Sequence, residues 1–369
     1  TVLSLDPMPE LFGNDLPVIR IENDGKMEVD PTLAPRTAED LAAFVEDLHE
    51  SGIVGLGGAA FPVDWKFDAA LRHNVKTMLI NGAECEPYVT SDNRMMLDHG
   101  EDIRRGIELL KKYVKPDNFV FAIENNKPQA IAAMKELFAD DPTMSIVELP
   151  SSYPQGAKQM ILYNALGKVV YAGQRFATLG VIIINVSTLA KVAKFMDTGM
   201  PLVDRVVTVD GSAIKEPKNL LVPIGTPYRY LVEAAGGLKC EPGRVVNGGP
   251  MMGHAVPSLD YPVLKTTGSV LVFSEADSVI HEPTPCIHCG RCVSHCPMNL
   301  NPTAFSDDLE EENGDKRALL LDRDHVNFCI ECGSCSYVCP AHRPLAENNR
   351  AAKKYLKKYK ADHAEGGKK

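Results

Sequence analysis

The sequence predicts an α/β domain with a mostly parallel sheet, then a small β-grasp-like α+β domain, then a cysteine-rich helical module. Three observations carry this. From Thr77 to Met196, short apolar runs alternate with helical patterns, the signature of strands joined by crossover helices. After Gly199, short strands surround a single helix within some 75 residues. Eight of the ten cysteines fall between Cys286 and Cys339, in two copies of one spacing.

The chain has 369 residues, which at about 150 per domain gives two or three domains. Hydrophobic residues at 44% and charged residues at 24% are ordinary soluble composition. A net charge of −10 argues against a general nucleic-acid binder, which needs a basic field. Residues 276–369 hold 13 basic and 14 acidic side chains, so −9 of that charge lies before residue 276. The longest largely apolar run, Leu179 to Val186, includes Gly180 and Asn185 and is far short of the roughly 20 residues of a membrane span. Thr1 to Asp6 has neither the basic start nor the apolar core of a signal peptide.

Residues 1–35 read as short extended pieces, with a strand over Pro17–Glu22 and a turn at Asn23-Asp24-Gly25. Thr37-x-x-Asp40 reads as a capping box before a helix whose face is Leu41, Phe44, Val45 and Leu48. A glycine-rich turn over Gly55–Pro62 leads into a helix ending near His73. Strands are expected at Thr77–Ile80, Phe119–Ile123, Met144–Leu149 and Val181–Val186. Helices are expected over 92–114, 128–139, 155–166 and 188–196. Domain 36–199 is thus the α/β unit. In 200–275, Val203–Val209 runs into Asp210-Gly211, a hairpin signal. Leu220–Ile224, a helix over Pro227–Ala235, Arg244–Val246 and Ser269–Phe273 complete the β-grasp pattern. Residues 276–345 hold the cysteines, and 346–369 read as a basic helix and tail. From Arg350 the tail carries eight basic and two acidic residues, and such a run is more often a solvated face than a docking device.

The cysteine motifs are Cys286-x2-Cys289-x2-Cys292-x3-Cys296-Pro297 and Cys329-x2-Cys332-x2-Cys335-x3-Cys339-Pro340. This is the two-cluster ferredoxin spacing, in which the fourth cysteine of each run ligates the other cluster. One [4Fe–4S] cluster is expected on Cys286, Cys289, Cys292 and Cys339, the second on Cys329, Cys332, Cys335 and Cys296. Disulfides would need an oxidising compartment, which nothing here suggests. Structural zinc favours two separated cysteine pairs. His288 and His295 are read as loop residues near sulfur, because the thiolates already satisfy the irons.

Gly55-x-Gly57-x-x-Ala60 matches the dinucleotide-binding pattern, but a capped helix precedes it where a strand is required. From the loop alone, a tight turn and a backbone surface for a flat or phosphorylated ligand both stand. Lys66, inside the next helix, could reach a phosphate. Glu84 and Glu86 follow a buried strand at its carboxyl end, where open α/β sheets bind ligands. Their alternate spacing suits two carboxylates on one side of an extended loop. Cys85 between them reads as a packed thiol.

Gly55-Leu-Gly-Gly-Ala-Ala-Phe-Pro62 and Asn81-Gly-Ala-Glu-Cys-Glu-Pro-Tyr88 resemble the flavin site of the RnfC family, the flavin-bearing component of the Rnf complex. That complex is a membrane-bound, ion-translocating ferredoxin:NAD oxidoreductase. More distantly, the motifs are similar to the NADH-binding flavoprotein subunit of respiratory complex I. Tyr153-Pro-Gln-Gly156, Asn185-Val-Ser-Thr188, the β-grasp segment and the twin cysteine motifs follow in the family's order, over about residues 18–345. The resemblance implies an FMN-binding α/β domain, a soluble-ligand-binding β-grasp (SLBB) domain and a two-[4Fe–4S] domain. It implies that Gly55, Gly57 and Gly58 pass under FMN and NADH, with Phe61 near the nucleotide. Lys66 and Asn81 would hold FMN, and Asn185, Val186, Ser187 and Thr188 its phosphate. Glu84, Glu86 and Tyr88 would line the flavin–nicotinamide pocket, with Gly156 beside the ring. Leu56, Ala157 and Lys158 depart from the complex I pattern. The family's β-rich N-terminal domain would be present only as a remnant in 1–35.

The implied function is a reversible NADH-oxidising electron-entry subunit, an NAD(H)-dependent flavin and iron–sulfur oxidoreductase. Hydride would pass from NADH to FMN, and single electrons through two clusters to membrane and iron–sulfur subunits of the same complex, reaching ferredoxin indirectly. The chain would sit peripherally on the cytoplasmic face of the membrane, held by partner subunits. No proton-transfer residue is expected, because hydride transfer requires none. The rivals are a related cobalamin reductase, an amino-acid-reductase electron-transfer protein, and a flavin-free electron-transfer adaptor.

Overall fold

The computed structural model describes residues 1–9, 15–171 and 173–365. Residues 10–14 of the expected arm and 366–369 of the expected basic tail lie outside the described residues. Strands β1 (Val2–Pro9) and β2 (Asp15–Ile21) form an antiparallel ribbon, with Leu5 opposite Ile19.

The α/β unit begins with α1 (Leu41–Glu50). The expected capping box is not formed: Asp40 itself is the N-cap, its carboxylate accepting from the Ala43 amide at 2.9 Å. Then come α2 (Val63–Arg72), β3 (Thr77–Gly82), α3 (Ser91–Asp98) and α4 (Gly100–Tyr113). The single helix expected over 92–114 is broken at His99, whose backbone (φ −126, ψ 33) leaves helical geometry ahead of Gly100. Next are β4 (Asn118–Glu124), α5 (Pro128–Leu137), β5 (Met144–Leu149), α6 (Lys158–Leu166), β6 (Val181–Asn185) and α7 (Val186–Thr198). The four strands are all parallel, in the order β5-β4-β3-β6. Both faces are covered, which is why the strands read as continuous apolar runs. Met78, Ile80, Phe119, Phe121, Ile182 and Ile184 enter one core, while Leu79, Val120, Ala122 and Ile183 enter the other.

The second unit holds β7 (Asp204–Asp210), β8 (Lys218–Pro223), α8 (Tyr228–Ala234), β9 (Pro242–Asn247), β10 (His254–Val256) and β11 (Ser269–Ser274). Its sheet order is β10-β9-β11-β7-β8, with β7 and β11 parallel and α8 packed through the buried Tyr228 and Leu231. Asp210-Gly211 is not a tight hairpin, since residues 211–217 separate β7 from β8. Gly211 (φ +116) is required because the Val272 backbone fills the space a Cβ would need.

The cysteine module contains α9 (Arg291–Ser294), α10 (Pro302–Leu309), α11 (Gly314–Arg323), α12 (Ser334–Tyr337) and α13 (Leu345–Glu365). It is an internal repeat: α9 corresponds to α12 and α10 to α13. The left-handed positions match as well, His288 with Glu331, Gly290 with Gly333, and Asn299 with His342. The basic C-terminal segment is not a merely solvated face. Leu345, Asn349, Ala352 and Leu356 form a buried stripe at helical spacing, packed on Phe305 and the cysteine loops.

Candidate redox site

Strand order reverses between β3 and β6, so a crevice opens at their carboxyl ends, the place where such sheets bind ligands. Three segments meet there. The glycine loop closes on itself through the Gly55 amide and the Phe61 carbonyl (2.9 Å). It is tied to α7 by the Leu56 amide donating to Thr188 Oγ1 (2.9 Å). A Cβ on Gly57 would touch Asn185 at 3.4 Å. Asn185 caps α7, accepting from the Thr188 amide (3.1 Å), and leaves the positive end of that helix facing the crevice. The third segment is the loop before α6. Asn81 Nδ2 donates to the Gly156 carbonyl (3.0 Å), and a Cβ on Gly156 would stand 2.6 Å from the Ala83 carbonyl. Only glycine fits there. The Cys85 thiol accepts from the Gly156 amide (3.3 Å), and burial pushes it up to about 11, so it is an inert packed thiol.

Two lysines, Lys66 and Lys158, lie at the crevice. Burial, with the nearby Lys158 ammonium, pushes Lys66 down to about 7. Burial lowers Lys158 too, and its ammonium lies over the Phe61 ring at 5.9 Å. Among the described residues no carboxylate pairs with either lysine. Phe61 is 43% exposed and meets Trp65 edge-on, so an aromatic surface adjoins the two cations. This donor set fits a phosphorylated aromatic ligand such as FMN.

The acidic loop behaves differently from the expectation of two carboxylates on one side. Glu84 turns inward and caps α3, accepting from the Asp92 amide (2.7 Å), the Asn93 amide (3.2 Å) and Ser91 Oγ (3.2 Å). Glu86 turns to the β-grasp unit and accepts from the Met251 (3.0 Å) and Met252 (2.9 Å) amides. The unsatisfied amides of a helix start and of a turn draw the two side chains apart. Tyr88 lies edge-on to Phe273 of that unit, with ring centres 5.4 Å apart.

Two charged residues that sequence reasoning missed complete the site. Asp92 is half-buried and accepts from Asn185 Nδ2 (2.6 Å) and Ser187 Oγ (2.5 Å). Burial raises it, while those bonds and the Arg205 charge pull it back. Arg205, on β7, is 3% exposed and donates to the Leu56 and Lys265 carbonyls. Burial lowers it to about 10, opposed by Asp92. A charged residue inside an apolar strand was the available signal for Arg205. For Asp92 there was none.

The cysteine module adjoins this crevice, and two cavities open in it. One is lined by Cys329, Cys332, Cys335 and Cys296, the other by Cys286, Cys289, Cys292 and Cys339. Each cavity thus gathers three cysteines of one motif and the last of the other. No three described His, Cys, Asp or Glu side chains close round a single metal ion, and an iron–sulfur cube needs thiolates set wider than one ion does. Burial and the neighbouring Cys329 and Cys332 push Cys335 up to about 12, so such thiols would ionise only for a bound cation. His288 Nδ1 stands 4.0 Å from Cys286 Sγ, and His295 Nδ1 lies 3.0 Å from the Arg291 carbonyl oxygen.

Models of known families match three successive segments: the Nuo51 FMN-binding domain over 48–194, the SLBB domain over 206–255 and the 4Fe-4S dicluster domain over 278–340. Fold and site therefore define an electron-transfer protein built on FMN and iron–sulfur domains. The chain is 38% identical over 348 residues to the RnfC-type component of the proton-translocating ferredoxin:NAD(+) oxidoreductase complex of Clostridium ljungdahlii, covering 92% of this chain and 76% of that protein. It is 37% identical over 318 residues to the corresponding component of the Na(+)-translocating complex of Acetobacterium woodii, covering 85% and 72%. A chain of an NAD+-reducing [NiFe]-hydrogenase shares the fold at a TM-score of 0.58 and 19% identity, over 87% of this chain and 63% of that one. The chain belongs to the RnfC family of the ion-translocating ferredoxin:NAD oxidoreductases, the Rnf complexes. No described helix is long and apolar enough to cross a membrane.

Proposed function

We propose that this chain is the reversible NADH-oxidising, electron-entry subunit of a membrane-bound, ion-translocating ferredoxin:NAD oxidoreductase. FMN, when bound, supplies the exchange of a two-electron hydride for single electrons. Gly55, Gly57 and Gly58 keep side chains out of the crevice so that a flat ring can lie on the backbone. Lys66 and the start of α7, over Asn185, Val186, Ser187 and Thr188, receive the flavin phosphate. Asn81 and Gly156 build the far wall, while Glu84 and Glu86 brace the loop behind it and Tyr88 ties that loop to the β-grasp unit. Phe61 offers NADH an aromatic face, and Lys158 beside it a positive charge for the dinucleotide's phosphates.

Cys329, Cys332, Cys335 and Cys296 hold the cluster nearer the flavin, and Cys286, Cys289, Cys292 and Cys339 the outer one. One observation supports this order: the Tyr153 hydroxyl, in the flavin-site loop, bonds the Cys332 carbonyl. The outer motif is open, with Cys289 and Ile287 exposed, and suits delivery of electrons to membrane and iron–sulfur subunits of the same complex. Those subunits hold the chain peripherally on the cytoplasmic face, and ferredoxin exchanges electrons with it indirectly. The match of an FMN-domain model disfavours the flavin-free adaptor. Relatives named as components of ferredoxin:NAD(+) oxidoreductase complexes favour this reading over a cobalamin reductase or an amino-acid-reductase protein.

Anaerobic purification tests the composition. One FMN and about eight irons per chain are expected. Full iron with no flavin refutes the reading.

A further inference from the structure

We propose that Asn349 is a positioning residue of the inner cluster, donating its side-chain N–H to the ligand sulfurs and so raising that cluster's midpoint potential. The inference rests on the assignment of Cys329, Cys332, Cys335 and Cys296 to that cluster.

Asn349 lies in the buried stripe of α13 and is 1% exposed. Its Nδ2 stands 3.6 Å from Cys329 Sγ and 3.9 Å from Cys335 Sγ. Its Oδ1 is buried without a partner. A buried amide with one orphan end is costly, and leucine would fill the same space without that cost. The side chain is therefore turned by the sulfurs and by nothing else. Two bonds from the same helix hold it in register: Lys353 Nζ donates to the Cys329 carbonyl (2.8 Å), and Arg350 pairs with Glu331 (3.2 Å).

The internal repeat supplies the comparison. Both motifs receive the same backbone bond, His288 N to Cys286 Sγ and Glu331 N to Cys329 Sγ, each at 3.4 Å. The position matching Asn349, ten residues after the last cysteine of its motif, is Ser306. Its hydroxyl goes to the Pro302 carbonyl (3.5 Å) and accepts from Asn348 (3.1 Å). The inner motif thus gains a helix-borne amide donor that the outer one lacks. Reduction adds negative charge to the cluster sulfurs, and an N–H aimed at them stabilises the reduced form more than the oxidised form.

The test is an EPR-monitored redox titration of the full chain and of Asn349→Leu, with iron content measured for both. The inner signal is identified by its perturbation in Cys335→Ser. The inner midpoint should move to more negative potential in the variant, while the outer midpoint stays. An unmoved inner midpoint at full iron, or an equal shift of both, overturns the proposal. Pulsed EPR on the unaltered protein with 15N in its asparagine side chains decides the matter even if the variant fails to assemble. A 15N coupling on the inner signal is expected, and its absence overturns the proposal. Fewer than about eight irons in the unaltered chain refutes the ligand assignment itself.

Discussion

The Tyr153 hydroxyl donates to the Cys332 carbonyl at 2.6 Å, joining residues 179 positions apart. Tyr153 also lies against Glu86, which holds the Met251–Met252 turn. A Cβ on Gly333 would stand 2.7 Å from the Met251 carbonyl. Flavin-site loop, β-grasp turn and inner cysteine loop are thus in direct contact.

Replacing Tyr153 by Phe removes that bond and the hydroxyl's contact with Glu86, and keeps the ring. FMN and iron contents should match the parent, and flavin bleaching by NADH should keep its rate. Cluster bleaching, followed by stopped-flow absorbance, should slow about fivefold, the equivalent of a ~1 kcal/mol contact. Equal cluster rates would show that Tyr153 plays no part in passing electrons from flavin to cluster.

Arg205 is the β-grasp unit's buried charge at the flavin crevice. Arg205→Met removes one of the two cationic charges, with Lys127, that stabilise the Asp92 carboxylate. The expected loss is about 3 kcal/mol, read as a lower urea midpoint, together with loss of FMN. Adding Asp92→Asn should restore part of the stability, because the two groups act as a pair. Additive losses would show that they do not.

Lys66 gives flavin binding a pH dependence. Its folded value near 7 lies below the usual 10.5, so the folded chain loses this proton first, and Lys66 makes stability rise from pH 7 toward 10.5. Anion binding runs the other way. FMN affinity of flavin-free protein should fall above pH 7, by up to about tenfold per unit. Glu84, raised to about 7 by burial and Asp92, deprotonates over the same range and adds to the fall. Fluorescence titration of Lys66→Met should show weaker binding with a shallower slope. An unchanged slope contradicts a charged Lys66 at the phosphate.

Lys158 separates the two phosphorylated ligands. Lys158→Ala should keep FMN and raise the KM for NADH about tenfold, the loss of a ~1.4 kcal/mol charge-assisted contact, with kcat little changed. Loss of FMN in that variant would instead assign Lys158 to the flavin.

The parallel sheet and the cysteine motifs were legible because their signals are local. Buried strands are continuous apolar runs, and a cluster loop is a fixed spacing of one residue type. What escaped depends on distant partners. Nothing near Asp92 in sequence announces Asn185, Ser187 and Arg205. Glu84 and Glu86 have alternating spacing, yet two different sets of free amides pull them apart. The basic residues from Arg350 masked the period of Leu345, Asn349, Ala352 and Leu356, although the lysines only flank that buried stripe.

If electrons enter at the flavin and leave through the two clusters, both chromophores must respond to one donor. Anaerobic titration of the purified chain with NADH, read at flavin and iron–sulfur wavelengths, follows them together. Both should bleach, flavin first and the clusters after it, with NADPH far less effective. Clusters that stay oxidised while the flavin bleaches, or no bleaching by NADH, would contradict this route.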